Sequence, residues 1–319
     1  VIQQLEHYTK GPKKPPLHHL GHHPTIGAEA PETAVSPAFR YHGAKFRLSG
    51  WVQQHFPPHV TYVEPFGGAA GVLLTKPRAY AEVYNDLDGD VVNFFRVLQD
   101  PTHRDRLVEL CYLTPYARSE FELAWEPTDD AVERARRLVI RAQMGFGSAG
   151  ATKGKTGFRI DTDRAYGTSQ HHWATYPASL AVVAQRFTQV LIENRPAIEV
   201  MRQHDGASTL HYVDPPYLHS TRVMSSGKAG YYRHEMSEED HIALLDVLLD
   251  LEGAVVVSGY PSALYDQRLA GWAKHETAAR ISAGRGTAFR TECLWLNGVA
   301  VAGLAPDWRQ VSLGMDGVE

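Results

Sequence analysis

Three short runs of β-branched and aromatic residues each end at a carboxylate and a turn, and this pattern restricts the fold more than any other feature of the chain. They are Val60–Glu64, Ala81–Tyr84 running into Asn85-Asp86, and Leu210–Val213 running into Asp214. Runs of this length and composition read as strands. A glycine-rich turn, Gly67-Gly68-Ala69-Ala70-Gly71, follows the first, and Val72-Leu73-Leu74 then reads as the start of a helix. Asp88 to Leu98 reads as a helix with Val91, Val92, Phe95 and Leu98 on one side. Strand, turn, helix, strand is a βαβ unit, so the class is α/β with a parallel sheet. The pattern resumes with strand Val190–Glu193 and a helix near Ile198–Gln203. A helix over Glu238–Leu251 starts at Ser237, with Asp240 completing a capping box. Val255–Val257 is a fully apolar strand, and Thr291–Leu296 reads as half of a hairpin or an edge.

Between these parts the composition changes. Residues 1–37 hold six prolines and a histidine cluster, His18, His19, His22 and His23, with little apolar periodicity, and read as a flexible arm. Residues 38–100 and 175–319 carry the α/β pattern, and 101–174 read as a helical, Gly- and Lys-rich insert. The formal charge of the 319 residues is −4, so any nucleic-acid surface must be local. From Arg134 to Arg159 it is local: Arg134, Arg136, Arg137, Arg141, Lys153, Lys155 and Arg159 stand without one acidic residue. The only cysteines are Cys111 and Cys293, in helix and strand contexts, which excludes a disulfide scaffold and reads as core filling. The longest uncharged apolar stretch, Cys293–Pro306, has 14 residues, short of the roughly 20 a spanning helix needs. No membrane segment, signal peptide or metal site is expected, and the expected location is the cytoplasm.

Ligands in open α/β sheets bind at the carboxyl ends of strands. Asp214-Pro215-Pro216-Tyr217 stands at such an end. A carboxylate beside proline carbonyls can accept both hydrogens of an exocyclic amine, and Tyr217 offers a flat face for a base. The same residues also make good turn material. Glu64-Pro65-Phe66-Gly67-Gly68 follows another strand, where small residues admit close approach of a ligand. Asp86 ends the next strand, where a carboxylate can hold ribose hydroxyls. Gly154-Lys155-Thr156 imitates the end of a phosphate-binding loop, but the glycine required five residues earlier is Ala149 and no strand precedes it.

Taken in order, Tyr41–Lys45, Glu64–Gly71, Asn85-Asp86, an insert and Asp214–Tyr217 resemble the Dam-like DNA adenine-N6 methyltransferases over residues 39 to 298. The segments Tyr231–Ser237 and Thr291–Asn297 are similar to phage and prophage members. The resemblance implies a Rossmann-like S-adenosylmethionine-dependent methyltransferase sheet with a mainly helical target-recognition insert. It implies S-adenosylmethionine as cofactor, with Tyr41 and Lys45 near its methionine part and Lys45 at its carboxylate. Glu64, Phe66 and Gly68 would line the methionine side, Asp86 the ribose, and Asp214 would stand between cofactor and target. Asp214, Pro215, Pro216 and Tyr217 would hold a flipped adenine of double-stranded DNA. Arg134, Arg137, Arg141, Lys153, Lys155, Arg159, Arg222 and Arg233 would contact the DNA backbone. A cognate restriction endonuclease is a partner such an enzyme can have. Two departures stand out: Ala70 replaces the second glycine of the family's Gly-x-Gly, and Asn194-Arg195-Pro196-Ala197 lacks the acid and aromatic often found against the cofactor's adenine.

Methyl transfer to an amine needs in-line placement and hydrogen bonds that favour a tetrahedral nitrogen, which Asp214 and the Pro215 carbonyl can supply. Methylation at a cytosine ring carbon needs a cysteine nucleophile, and neither cysteine is suited. The alternatives are amino methylation of cytosine N4, RNA adenine or a protein amide, and a non-catalytic DNA-binding relic.

Overall fold

The computed structural model describes residues 36–152, 154–160, 168–221, 232–283 and 286–304. The proline- and histidine-rich stretch 1–35 lies outside the described residues, as do Lys153, Arg222 and Tyr231. The parallel strands are β1 (Thr61–Glu64), β2 (Ala81–Asn85), β3 (Val190–Glu193), β4 (Thr209–Val213) and β5 (Ala254–Gly259). β6 (Ala273–Ala283) and β7 (Gly286–Leu296) form an antiparallel hairpin. The strand order is β3-β2-β1-β4-β5-β7-β6, one seven-stranded sheet that is parallel from β3 to β5 and antiparallel where β7 joins β5 and β6. The late strand is therefore half of a hairpin, but it lies inside the sheet, with β6 at the edge.

Strands covered on both faces read as continuous apolar runs. Accordingly every residue of β4 and β5 is buried. β1 pairs in register with β2 (Val63 with Val83) and with β4 (Val63 with His211), so their carboxyl ends emerge together.

The helices in chain order are α1 (Ser49–Gln53), α2 (Gly89–Gln99), α3 (Pro101–Leu113), α4 (Arg118–Leu123), α5 (Ala131–Met144), α6 (Ser169–Phe187), α7 (Ala197–Gln203), α8 (Glu238–Asp250), α9 (Ala263–Arg268) and α10 (Gly298–Leu304). Their starts are written locally. Asp88, Asp100 and Asp130 accept from backbone N–H groups of the first turns of α2, α3 and α5, and Ser237 and Asp240 form the expected capping box on α8. No described helix is long and apolar enough to cross a membrane.

Two expectations change. Residues 69–76 form successive turns rather than a helix: Gly68 and Ala70 both have positive φ, 48° and 55°, which breaks helical continuation. The insert boundary at 174 falls inside α6. Helices α3, α5 and α6 share a hydrophobic core with α2 through Leu107, Cys111, Leu138, Val139, Leu180, Phe94 and Phe95. Both cysteines are buried, and burial pushes each thiol up to about 12.

Candidate active site

β1 and β4 are neighbours, but the chain leaves the sheet in opposite directions from them, β2 on one side and β5 on the other. At this switch point, beyond the carboxyl ends of β1, β2 and β4, lies a cavity of about 310 Å³. Glu64, Phe66, Gly68, Asp86, Asp214 and Pro216 line it, together with Tyr41 and Lys45 from the segment before β1.

Its floor is a set of turns tied to β2. The Gly67 N–H donates to Asn85 O (2.8 Å), the Tyr84 hydroxyl to Gly68 O (2.6 Å), and the Gly68 N–H to Asp86 Oδ2 (2.8 Å). A methyl on Gly67 would fall 2.1 Å from the Tyr84 ring, so the turn has room only for hydrogen there. Asn85 is fully buried and donates to both Pro65 O and Arg195 O, which fixes the ends of β1, β2 and β3 relative to one another. Behind it Pro196, Ala197 and Ile198 form a cavity wall, the segment that lacked an acid and an aromatic in the sequence.

Asp214 is part of the cavity lining. Its Oδ1 accepts from the Ser258 hydroxyl and lies 3.0 Å from Lys45 Nζ. Lys45 also donates to Gly43 O (3.0 Å) and stands 4.7 Å from the centre of the Tyr217 ring. Burial alone would lower the lysine pKa, but the carboxylates of Asp214 and Glu292 outweigh it and hold it above its ordinary value. Burial drives Glu64 up to about 8 despite the hydrogen bond from Tyr62, and Asp86 up to about 6 despite the N–H groups of Asp88 and Gly68. The site thus keeps carboxyl groups of different proton affinity close together, a property of functional clefts.

The family described as D12 class N6 adenine-specific DNA methyltransferases matches residues 41–267, from Tyr41 through the Asp214 turn and into α9. The chain belongs to this family. Its chemistry is accordingly N6 methylation of adenine in DNA. A DNA adenine methylase of Vibrio cholerae serotype O1, found in two strains, is 26% identical over 220 residues, 65% of this chain and 74% of that protein. The DNA N-6-adenine-methyltransferase of Escherichia phage P1 is 30% identical over 84 residues, 24% of this chain and 11% of the phage protein.

In this D12 class methyltransferase Tyr41, Lys45, Glu64, Phe66, Gly68, Asp86, Asp214 and Pro216 line one cavity, with Lys45 placed on Asp214, whereas Pro215 and Tyr217 are not part of its lining. The basic stretch differs from expectation. Arg134 and Arg141 both bind Asp90, Arg137 binds Glu133, and Arg136 binds Glu133 and Glu120. The uncompensated positive charge expected from 134 to 159 is therefore corrected over its helical half, α5. Lys155 is exposed on the return from α5, where the Arg159 N–H bonds Met144 O (2.7 Å). Arg233 pairs with Asp88 Oδ1 and Asp90 Oδ2 at the rim of the cavity.

Sequence reasoning missed Ser258, Tyr260 and Glu292. Ser258 had a signal: it is a polar residue at the end of an all-apolar strand, as Asp214 is. Glu292 had only its place in the segment Thr291–Asn297, because one charge in a strand reads as its solvent side, yet it is buried.

Proposed function

We propose that this chain transfers the methyl group of S-adenosylmethionine to N6 of an adenine flipped out of duplex DNA. The observation that supports it most is the Asp214 carboxylate in the cavity lining, 3.0 Å from the Lys45 ammonium, which itself stands 4.7 Å from the centre of the Tyr217 ring. The residues present fit the cofactor. Gly67 and Gly68 pack so closely against the Tyr84 and Tyr41 rings that neither could carry a side chain, which keeps the cavity wall low there, and Tyr41, Glu64 and Asp86 bring polar groups to the cavity. Glu64 and Phe66 would hold the methionine part, Asp86 the ribose, and Pro196–Ile198 the adenine. When bound, S-adenosylmethionine supplies a methyl already activated by its sulfonium, so no metal is called for.

Asp214 and the Pro215 carbonyl accept the two hydrogens of the target N6 amine. That draws the nitrogen lone pair out of conjugation and favours the tetrahedral, cationic nitrogen of the transition state. Both named partners of Asp214 lie on Oδ1, which leaves Oδ2 to face the amine. The proton leaves nitrogen for the Asp214 side once N6 has become cationic. Flipping the base costs a few kcal/mol, and stacking on Tyr217 returns about 1–3 kcal/mol. Phosphate contacts supply the rest, from Lys155 and its loop and from Arg134 and Arg233, whose side chains are 42% and 43% exposed.

The test is incubation of the protein and of Asp214→Ala with labelled S-adenosylmethionine and unmethylated duplex DNA, followed by nucleoside analysis. N6-methyladenine from the wild type alone is expected. Label in another nucleoside, or persistent transfer by the variant, would overturn the reading.

A further inference from the structure

Tyr217 is held from a direction the motif does not announce. Its hydroxyl donates to Glu292 Oε2 at 2.7 Å. Glu292 lies on β7, in the antiparallel hairpin and not among the parallel strands that carry the cavity, and is 6% exposed. Two further contacts come from the same side of the sheet. Tyr260, just after β5, meets the Tyr217 ring edge-on, with centres 4.6 Å apart and planes at 72°. Arg290, two residues before Glu292, donates to Thr221 O at 2.8 Å and stacks its guanidinium 5.1 Å from the Tyr260 ring. Residues two apart on a strand share a face, so one face of β7 grips both the start and the end of the turn that follows β4.

We infer that Glu292 is a positioning residue for methyl transfer, acting through the Tyr217 hydroxyl to fix the plane on which the target base stacks. The inference rests on the reading above and adds a residue to it. Without an anchor at its hydroxyl, a tyrosine ring on a loop can swing about its side-chain bonds, and the N6 amine would swing with the stacked base relative to Asp214. Misplacement by about 1 Å costs on the order of 10²-fold in rate. The carboxylate has a second consequence. A phenol that donates to an anion gains electron density in its ring, and an electron-rich face attracts cations. The Lys45 ammonium above that face shows that it accepts one. N6 becomes cationic as the methyl arrives, so the anchored ring favours the transition state over the neutral base.

Glu292 also lies near Lys45, and a role through the lysine alone would make different demands. A double-mutant cycle separates the two. Methyl transfer to mixed-sequence unmethylated duplex DNA is measured for the full chain, with kcat and KM taken separately and cofactor affinity followed by calorimetry. Glu292→Ala is expected to lower kcat about tenfold or more with cofactor affinity unchanged, and Glu292→Gln, which keeps an acceptor, to recover most of it. Tyr217→Phe is expected to lose about as much, and the double variant to be no worse than the poorer single one. Should Glu292→Ala fail to fold, Glu292→Gln is compared in the wild-type and Tyr217→Phe backgrounds, where its loss is expected only in the first. A wild-type kcat for Glu292→Ala, or losses that multiply with Tyr217→Phe, would overturn the inference. A wild type that methylates no DNA would overturn the methyltransferase reading and this inference with it, a result distinct from either.

Discussion

Asp214 receives a hydroxyl and an ammonium on the same oxygen, and the two neighbours do different work. Lys45 compensates the charge of the carboxylate, and Ser258 orients it. Removing a hydrogen bond to a charged group costs about 1.5–3 kcal/mol. If that bond persists as the nitrogen becomes cationic, Ser258→Ala lowers kcat by about tenfold or more with cofactor affinity unchanged, as single-turnover kinetics beside calorimetry would show. Equal loss in binding and rate would mean that the serine shapes the cavity instead. Ala70 poses a different residue-scale question. It stands where the resemblance calls for glycine, and its φ of 55° is the conformation glycine adopts freely. An L residue there carries about 1–2 kcal/mol of strain, while its buried methyl and its smaller unfolded-state entropy act in its favour. The terms nearly cancel, so Ala70→Gly leaves the thermal midpoint within a few degrees of wild type. A large drop would show that the methyl packs more tightly than the strain it causes.

At the scale of elements, the legible parts were those whose signal is local. Strands β1, β2 and β4 were readable because each apolar run ends in a carboxylate, and α8 because its capping box lies within four residues. The charge state of α5 was not readable, because the partner of Arg134 and Arg141 lies 44 and 51 residues away, on α2. Helix α5 is therefore tied to α2 through Asp90, which also takes Arg233 from the segment ahead of α8. Basic residues of this stretch accordingly separate into two kinds. Arg141 is 11% exposed, and its loss leaves Asp90 with fewer partners and the Ala124 carbonyl without its donor. Arg141→Ala thus costs about 1–3 kcal/mol in stability. Lys155→Ala leaves the urea midpoint unchanged and instead lowers the slope of log affinity for DNA against log salt by about 1. Titration of both variants with duplex DNA at several salt concentrations, beside urea unfolding, checks the division. An unchanged salt slope for Lys155→Ala would remove the loop from the DNA surface.

For the whole molecule, the cavity has a cost that pH exposes. The carboxyl of Glu64 ionises near pH 8 when folded, against 4.5 ordinarily, because burial opposes its charge. A carboxyl with a raised folded value is protonated in the native state while the unfolded chain has already lost its proton. The native state then binds more protons, and stability falls as pH rises between the two values. Other groups act in other windows. Glu82, Asp90 and Glu133 are held below the usual carboxylate range, chiefly by Arg186, Arg134 and Arg136, which outweigh burial in each case. Their stabilisation is present above the unfolded value and is lost only as pH falls through the folded one. Burial lowers the pKa of His55, His59 and His211, so these destabilise as pH falls through their unfolded value of 6.5. Burial also raises the pKa of Asp86, Asp88 and Glu292, which act in the same direction as Glu64, so the share of Glu64 is read from a variant and not from the wild-type curve alone. The urea midpoint of the wild type should therefore fall between about pH 7 and 8.5, and Glu64→Gln, which has no proton to lose, should flatten that fall and be the more stable protein at the alkaline end. The difference between the two curves isolates the one group. Parallel curves across this interval would mean that Glu64 is ionised in the folded protein and that a cation balances it.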